Sequence, residues 1–383
     1  MTNFDVLAAR SNFPALQQDQ IFFDNAGGSQ TLGTVIESIR DYLSKTNVQL
    51  GATYKTGKIS NSKTVFGPST TQLFRNLSYT LEFKEGDEII VSSIDHEADI
   101  APWVDLAHRQ KLTLKWWTPA PSTNPKLLVE DLQGLLSPRT RLVTCTHASN
   151  ILGTITDIPA VAAAVHGVPG ALLCVDAVAY APHRALDVKA LGVDFYSFSW
   201  YKVYGPHISM LYASREAQKQ HMRSLGHFFN PSETLENKIG LAGANYELVQ
   251  SIPAVANYLG GGTPDAWGGF EAHEAELQST LLEYLKSRSD VTVYGETNPD
   301  TKLRVCTISF TVDGWDSRDV VETVEKDTNL GFRWGAFYSN RLVNQLLGLG
   351  PTGVVRVSML HYNTLEEVKT FIEAFDKVIG KKT

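Results

Sequence analysis

The chain has 383 residues, enough for two domains or one large α/β domain with an appendage around an ample buried core. Its net charge of -7 and pI near 5.8 argue against nucleic acid or an anionic membrane as a main partner. An apolar content of 43% with 20% charged residues is that of a soluble globular protein, and no apolar run approaches the ~20 residues that span a bilayer.

The first residues, Met1-Thr-Asn-Phe-Asp5, lack a basic segment followed by an apolar one, so no signal peptide is expected. Asn76-Leu-Ser78 is then a chance match to a glycosylation acceptor. Cys145, Cys174 and Cys306 lie in apolar, strand-like segments without metal-type spacing. They read as reduced core residues of a cytoplasmic protein, and no metal is expected.

In chain order, Ser69-Thr-Thr71 opens a helical pattern over about 70–82. Strands are expected at Glu88–Ser92, Leu112–Trp117, Arg141–Thr146, Ala171–Asp176, Asp194–Phe198 and Ile208–Tyr212, with helices between them at about 98–110, 127–136 and 157–166. Several of these strands are continuous apolar runs, the mark of a mostly parallel sheet covered on both faces. From about residue 250 the pattern changes to a long helix, Glu271–Arg288, then strands Val291–Tyr294 and Val305–Phe310. A helix from Ser317, a strand Val354–Met359 and a last helix follow, the last begun by a capping box at Thr364-Leu-Glu-Glu367. The expectation is an α/β fold: a large domain over 15–250, and a smaller α+β domain made of 1–14 and 251–383. The glycine cluster Leu259-Gly-Gly-Gly-Thr263 reads as a helix end or a turn rather than a phosphate loop.

Two strand ends carry the chemistry. Asp176 closes the strand Leu172-Leu-Cys-Val-Asp176, and Lys202 follows the strand that ends in Ser199. A carboxylate and an amine so placed are what an enzyme needs to hold pyridoxal phosphate: the lysine forms a Schiff base, and the carboxylate keeps the pyridine nitrogen protonated.

Six segments stand in an order that resembles the class V aminotransferase family of fold-type I pyridoxal-phosphate enzymes, closest to its cysteine-desulfurase-like branch. They are Phe23-Asp-Asn-Ala-Gly-Gly-Ser29, Asp95-His-Glu-Ala-Asp-Ile-Ala-Pro-Trp103, Ser149-Asn-Ile-Leu-Gly-Thr154, Val175-Asp-Ala177, Ser199-Trp-Tyr-Lys202, and Arg356 followed by His361-Tyr-Asn-Thr364. The resemblance implies the fold-type I architecture, with a mostly parallel sheet in the large domain and a smaller α+β C-terminal domain. It implies Lys202 as the cofactor lysine and α-proton base, Asp176 as partner of the ring nitrogen, and His96 stacked on the ring. Asn150 would bond the phenolic oxygen. Ser69, Thr70, Thr71 and Ser199 would hold the phosphate, where a helix N-terminus favours an anion, and Tyr201 would contact the cofactor. Arg356 would grip the substrate carboxylate with its fork, with Asn25 and Ala26 nearby. A homodimer with active sites at the interface is implied as well.

Four departures separate the chain from a desulfurase. The segment Arg333-Trp-Gly-Ala-Phe-Tyr338 has Tyr338 near the position of that branch's nucleophilic cysteine. Ala179 stands where a polar side chain is usual, Tyr201 replaces a histidine, and Ala242-Gly243 replaces a Gly-Thr pair. A persulfide-forming desulfurase is not expected.

The expected activity is at the α-carbon of an amino acid, through a Schiff base and a quinonoid, ending in elimination of a C–S or other C–X substituent. The alternative is a biosynthetic enzyme forming C–N or C–C bonds in specialised metabolism, by replacement or Mannich-type cyclisation. It is favoured by the aromatic set Trp200, Tyr201, Phe337 and Tyr338. If Tyr338 lines the site it reads as an acid or a substrate wall, and it reads equally as a core residue. A non-catalytic cofactor-binding scaffold is the reading from another class. A nicotinamide dehydrogenase fails because no G-x-G-x-x-G joins a first strand to a helix.

Overall fold

The computed structural model describes residues 4–47, 65–226, 234–240, 243–260 and 264–380. A short strand, β1 (Ile21–Phe22), precedes the large sheet, whose strands are β2 (Phe66–Gly67), β3 (Glu88–Ser92), β4 (Thr113–Trp117), β5 (Thr140–Thr146), β6 (Leu172–Asp176), β7 (Phe195–Ser199) and β8 (Ser209–Ala213). Later come β9 (Val291–Tyr294), β10 (Thr307–Val312), β11 (Leu330–Gly331), β12 (Arg333–Gly335) and β13 (Val354–Ser358).

The large sheet runs β2-β8-β7-β6-β5-β3-β4. The five strands from β7 to β4 are parallel, and β8 pairs antiparallel with both β7 and β2. Every residue of β3, β6 and β7 is buried, as continuous apolar runs between two layers of helix require. The chain places β4 to one side of β3 and then β5, β6 and β7 to the other. The reversal opens a crevice at the carboxyl ends of β3 and β5, the place where open α/β sheets bind ligands.

The smaller sheet is antiparallel, in the order β12-β13-β10-β9. The helices Pro264–Lys286, Ser317–Lys326 and Leu365–Ile379 supply Leu281, Val320 and Phe371 to the cluster on this sheet. Thr364 and Glu367 make the expected capping box. The N-terminal segment is tied to both sheets. Phe13 joins the large cluster, Arg10 pairs with Glu367 at 2.9 Å, and β1 pairs with β11. Gly153 joins the layers at one point: its φ is +68° and a Cβ there would lie 2.4 Å from the Thr307 carbonyl, so no other residue fits.

Most elements start and stop within two residues of expectation. The long helix is the exception, because it begins at Pro264 rather than Glu271. Gly268 and Gly269 argue for a later start by propensity, but a Cβ at Gly269 would lie 3.3 Å from the Phe4 ring, and this close packing keeps the segment helical. The strand expected from Val305 starts at Thr307. The helix before the glycine cluster ends at Tyr258, Gly260 has a φ of +69°, and Gly261–Thr263 lie outside the described residues.

Candidate active site

One cavity, with an empty volume of about 530 Å³ partly open to solvent, gathers side chains from the carboxyl ends of the parallel strands. Its walls include Ser69, Thr70 and Thr71, His96, Asn150, Asp176, Ser199, Tyr201 and Lys202. Nine of the residues singled out in the sequence thus meet in one place, although they span 134 positions of the chain.

Lys202 sits in a short 3-10 turn, Trp200–Lys202, that closes β7. Its Nζ makes no hydrogen bond to any described residue. Burial, with the Arg356 cation nearby, brings the amine down to about 8, while Asp176 and Asp24 pull the other way. Asp176 ends β6, and burial pushes its carboxyl up to about 6 against the Val178 N–H, which donates to Oδ1 at 2.8 Å, and against Lys202.

His96 caps the helix Glu97–Gln110, its Nδ1 accepting from the Ala98 N–H at 3.0 Å. Burial, then Lys202 and Arg356, hold its ring down to about 4, so it is neutral near pH 7 with the proton on Nε2.

Ser69 caps the helix Thr70–Thr80 through Gln72 N–H at 3.1 Å. The N–H groups of Thr70 and Thr71 in that first turn have no intrahelical acceptor, and they open onto the cavity. Thr70 Oγ1 lies 3.0 Å from Ser199 Oγ, which is 2.6 Å from Ser209 Oγ.

Against Asn150 and His96 lies a strained loop. Phe337 and Tyr338 follow Gly335 with φ of 47° and 61°, a conformation that costs on the order of 1–3 kcal/mol per non-glycine residue. Asn150 fastens it, donating from Nδ2 to the Phe337 carbonyl at 3.0 Å and accepting from Ser339 Oγ at 2.9 Å. One amide hydrogen of Asn150 stays available. The Glu97 N–H donates to the Tyr338 carbonyl. The Tyr338 side chain is 72% exposed, so it is not a core residue, and its ring centre lies 5.1 Å from that of His96.

Arg356, on β13, is 2% exposed. It donates to Asp24 Oδ1 at 2.8 Å and to the Asn150 carbonyl at 3.2 Å, its Nε has no partner among the described residues, and the Phe337 ring covers it at 3.6 Å. Asp24 and Phe337 are the neighbours that the sequence reading missed. Asp24 stands in the quoted Phe23-Asp-Asn segment, and only its 332-residue separation from Arg356 hid the pair.

Asn25 is committed within the protein. Its amide donates to the Phe22 and Ser358 carbonyls and to Asn363, and its oxygen accepts from Tyr362. The Ala26 N–H donates to Ser358 Oγ. Both residues line a smaller cavity beside Lys202. Trp200 is buried in the core, and Tyr201 stacks on His207 at 4.9 Å. None of the three cysteines lines the cavity, and all are buried. Gly243 is described, with open space where a Cβ would stand; Ala242 lies outside the described residues.

A free buried amine, a buried carboxyl and unfilled N–H groups at a helix N-terminus make a donor set that fits pyridoxal phosphate. The Aminotransferase class-V family model matches residues 56–371. The chain belongs to the class V aminotransferase family. It is a pyridoxal-phosphate-dependent enzyme with the fold-type I architecture. The aminotransferase-like protein FGM3 of Gibberella zeae is 52% identical over 99% of this chain and 99% of its own length. The cysteine desulfurase-like protein ustD of Aspergillus flavus is 38% identical, over 99% of this chain and 92% of its own. Among solved structures, a cysteine desulfurase of Thermococcus onnurineus superposes with a TM-score of 0.86 at 25% identity, covering 98% of both chains.

Proposed function

We propose that this enzyme acts at the α-carbon of an amino-acid substrate and expels a substituent from its side chain, as a C–S or related C–X lyase that forms no persulfide. The observation that carries this reading is the Lys202 amine, which lines the cavity with His96 and Asp176, has no hydrogen-bond partner among the described residues, and is held down to about 8 by burial and by Arg356. Such an amine is half deprotonated near pH 8, close enough to neutrality to suit proton transfer.

When bound, pyridoxal phosphate supplies a ring that stabilises negative charge at a carbon next to the amine it carries. Lys202 would hold it covalently when no substrate is present, and Asp176 would pair with its ring nitrogen. The N–H groups of Thr70 and Thr71, with the hydroxyls of Ser69 and Ser199, would hold the phosphate. His96 would stack on the ring, Asn150 would donate its remaining amide hydrogen to the phenolic oxygen, and Tyr201 would complete the wall. Arg356, with Phe337 giving way, would bind the substrate carboxylate, and Asn25 and Ala26 would border the substrate. Once freed by substrate, the Lys202 amine would take the α-proton and return it. Residues 15–250 would carry the cofactor, and 1–14 with 251–383 would form the smaller domain.

A panel of amino acids with leaving groups on the β-carbon tests the reading. The expected result is one released substituent for each 2-oxo acid formed, and loss of both in Lys202→Ala. Accumulation of pyridoxamine phosphate would rank transamination first, and bound cofactor without turnover would favour the scaffold. A second reading, formation of a new C–N or C–C bond, is favoured by the exposed Tyr338 at the rim, where a second reactant has access. It predicts that an added nucleophile or carbonyl compound is incorporated into the product, with Tyr338→Phe slowing turnover if the phenol is the acid. A homodimer is expected, and light scattering at micromolar concentration that shows a monomer would refute it. Among the described residues no helix is long and apolar enough to cross a membrane. A cytoplasmic site of action is proposed on that basis and on the reduced cysteines.

A further inference from the structure

The smaller cavity also reaches Lys202 and shares Val178 and Ala179 with the first. Pro182, Met359 and Leu360 give it an apolar lining, and Lys202, His183 and Thr307 give it polar atoms. It has room for about one water molecule. Three polar atoms of its lining residues make no hydrogen bond to any described residue: Lys202 Nζ, Thr307 Oγ1 and His183 Nε2. Three partners are what a buried water normally has.

His183 is oriented from behind. Its Nδ1 lies 3.0 Å from both carboxylate oxygens of Glu274, which sits on the helix Pro264–Lys286 and is fully buried. Arg184 donates to the same carboxylate at 2.9 Å, and its other N–H groups go to the His183, Thr301 and Arg304 carbonyls. Burial pushes the Glu274 carboxyl up, but His183 and Arg184 outweigh it and hold it below the usual range. An ionised Glu274 accepts the hydrogen on His183 Nδ1, which leaves Nε2 as the ring nitrogen open to a second partner. A latch between two elements needs the Glu274–Arg184 pair. It does not need a histidine that also lines a water-sized cavity beside the Lys202 amine.

We propose that His183, aligned by Glu274, is a positioning residue that exchanges a proton with Lys202 through one water held in this cavity; this rests on the reading of Lys202 as the α-proton carrier. The Lys202 ammonium gives a proton to the water oxygen while the water gives one of its own to His183 Nε2. The water keeps its atoms, no electrons change owner, and the positive charge passes from the lysine to an imidazolium facing Glu274. The reverse step restores the ammonium. The buried amine is thereby spared a lasting charge beside Arg356, and the proton it has taken mixes with solvent.

The test is exchange of the substrate α-hydrogen in D2O, followed by proton NMR with an amino acid that the loaded enzyme turns over. The parent enzyme exchanges it. His183→Asn keeps a donor toward Glu274 but has no second nitrogen at the cavity. Exchange should slow by about 10²-fold, with melting temperature and cofactor absorbance unchanged. Thr307→Val, which keeps the volume and removes one partner of the water, should slow it about fivefold; it serves as the variant if His183→Asn does not fold. A further readout uses the cofactor-free protein labelled with 15N-histidine, the His183 signals being those that His183→Asn removes. A ring protonated on Nδ1 and bare on Nε2 is expected. Undiminished exchange in a folded variant, or a proton resident on Nε2, overturns the relay alone. No exchange in the parent with any amino acid that binds overturns the role of Lys202, and the relay with it.

Discussion

Glu88, at the start of β3, and Asp176, at the end of β6, are 2% and 5% exposed, yet the two ends of the sheet treat a buried carboxylate in opposite ways. Glu88 accepts from Lys115 at 2.7 Å, Ser137 at 2.6 Å and Arg139 at 2.9 Å, and these donors outweigh burial and hold it below the usual carboxylate range. Asp176 accepts from one N–H, and burial leaves its carboxyl near 6. The amino end of the sheet is closed on itself, a structural solution. The carboxyl end keeps acceptor and donor capacity unspent, and this is where a ligand supplies what the protein does not.

The largest expected effect separates the two ends outright. Lys202→Ala should lower turnover by about 10²–10⁴-fold from the lost proton transfer alone. The same change should leave the melting temperature of the cofactor-free protein equal or higher, since it removes a buried amine that has no hydrogen-bond partner among the described residues. Next comes the exchange of roles between the two carboxylates. Glu88→Ala should cost about 1–3 kcal/mol in denaturant unfolding, because Lys115 and Ser137 lose their acceptor, with pyridoxal phosphate affinity unchanged. Asp176→Asn should show the reverse pattern, with stability kept and cofactor-dependent turnover lost. A loss of stability in Asp176→Asn equal to that in Glu88→Ala would erase the distinction.

A smaller effect lies in pH. The Asp176 carboxyl rises from an ordinary 3.8 to about 6 in the folded chain, so the folded state holds its proton more tightly. Its contribution to stability is full below 3.8 and is lost as pH rises through about 6. The cofactor-free Asp176→Asn protein should therefore lose less stability than the parent between those values. Smallest is Phe337→Ala, which uncovers Arg356 and, because alanine keeps a Cβ, leaves the left-handed backbone as it is. It should change KM for the amino acid severalfold, about the 1 kcal/mol scale of a cation–π contact, and kcat little.

What the sequence made legible follows from range. β3, β6 and β7 read well because a strand buried on both faces is a continuous apolar run whatever lies around it. β1, β2, β11 and β12 were not foreseen, since two- or three-residue strands exist only through distant pairing, as Ile21 with Leu330 shows. The same division holds at the site. Lys202, Asp176, His96 and Ser69 stand at strand and helix ends that local pattern reveals, and the fold brings them to one cavity. The Arg356–Asp24 pair, the Phe337 cover and the His183–Glu274 contact join segments 19 to 332 residues apart, and no local pattern announces them.

The most direct test is to add pyridoxal phosphate to the cofactor-free protein, reduce with borohydride and map the modified peptide by mass spectrometry. The account predicts a phosphopyridoxyl group on Lys202 at one per chain, with none fixed in Lys202→Ala. A label on another lysine, or none on the parent chain, would contradict it.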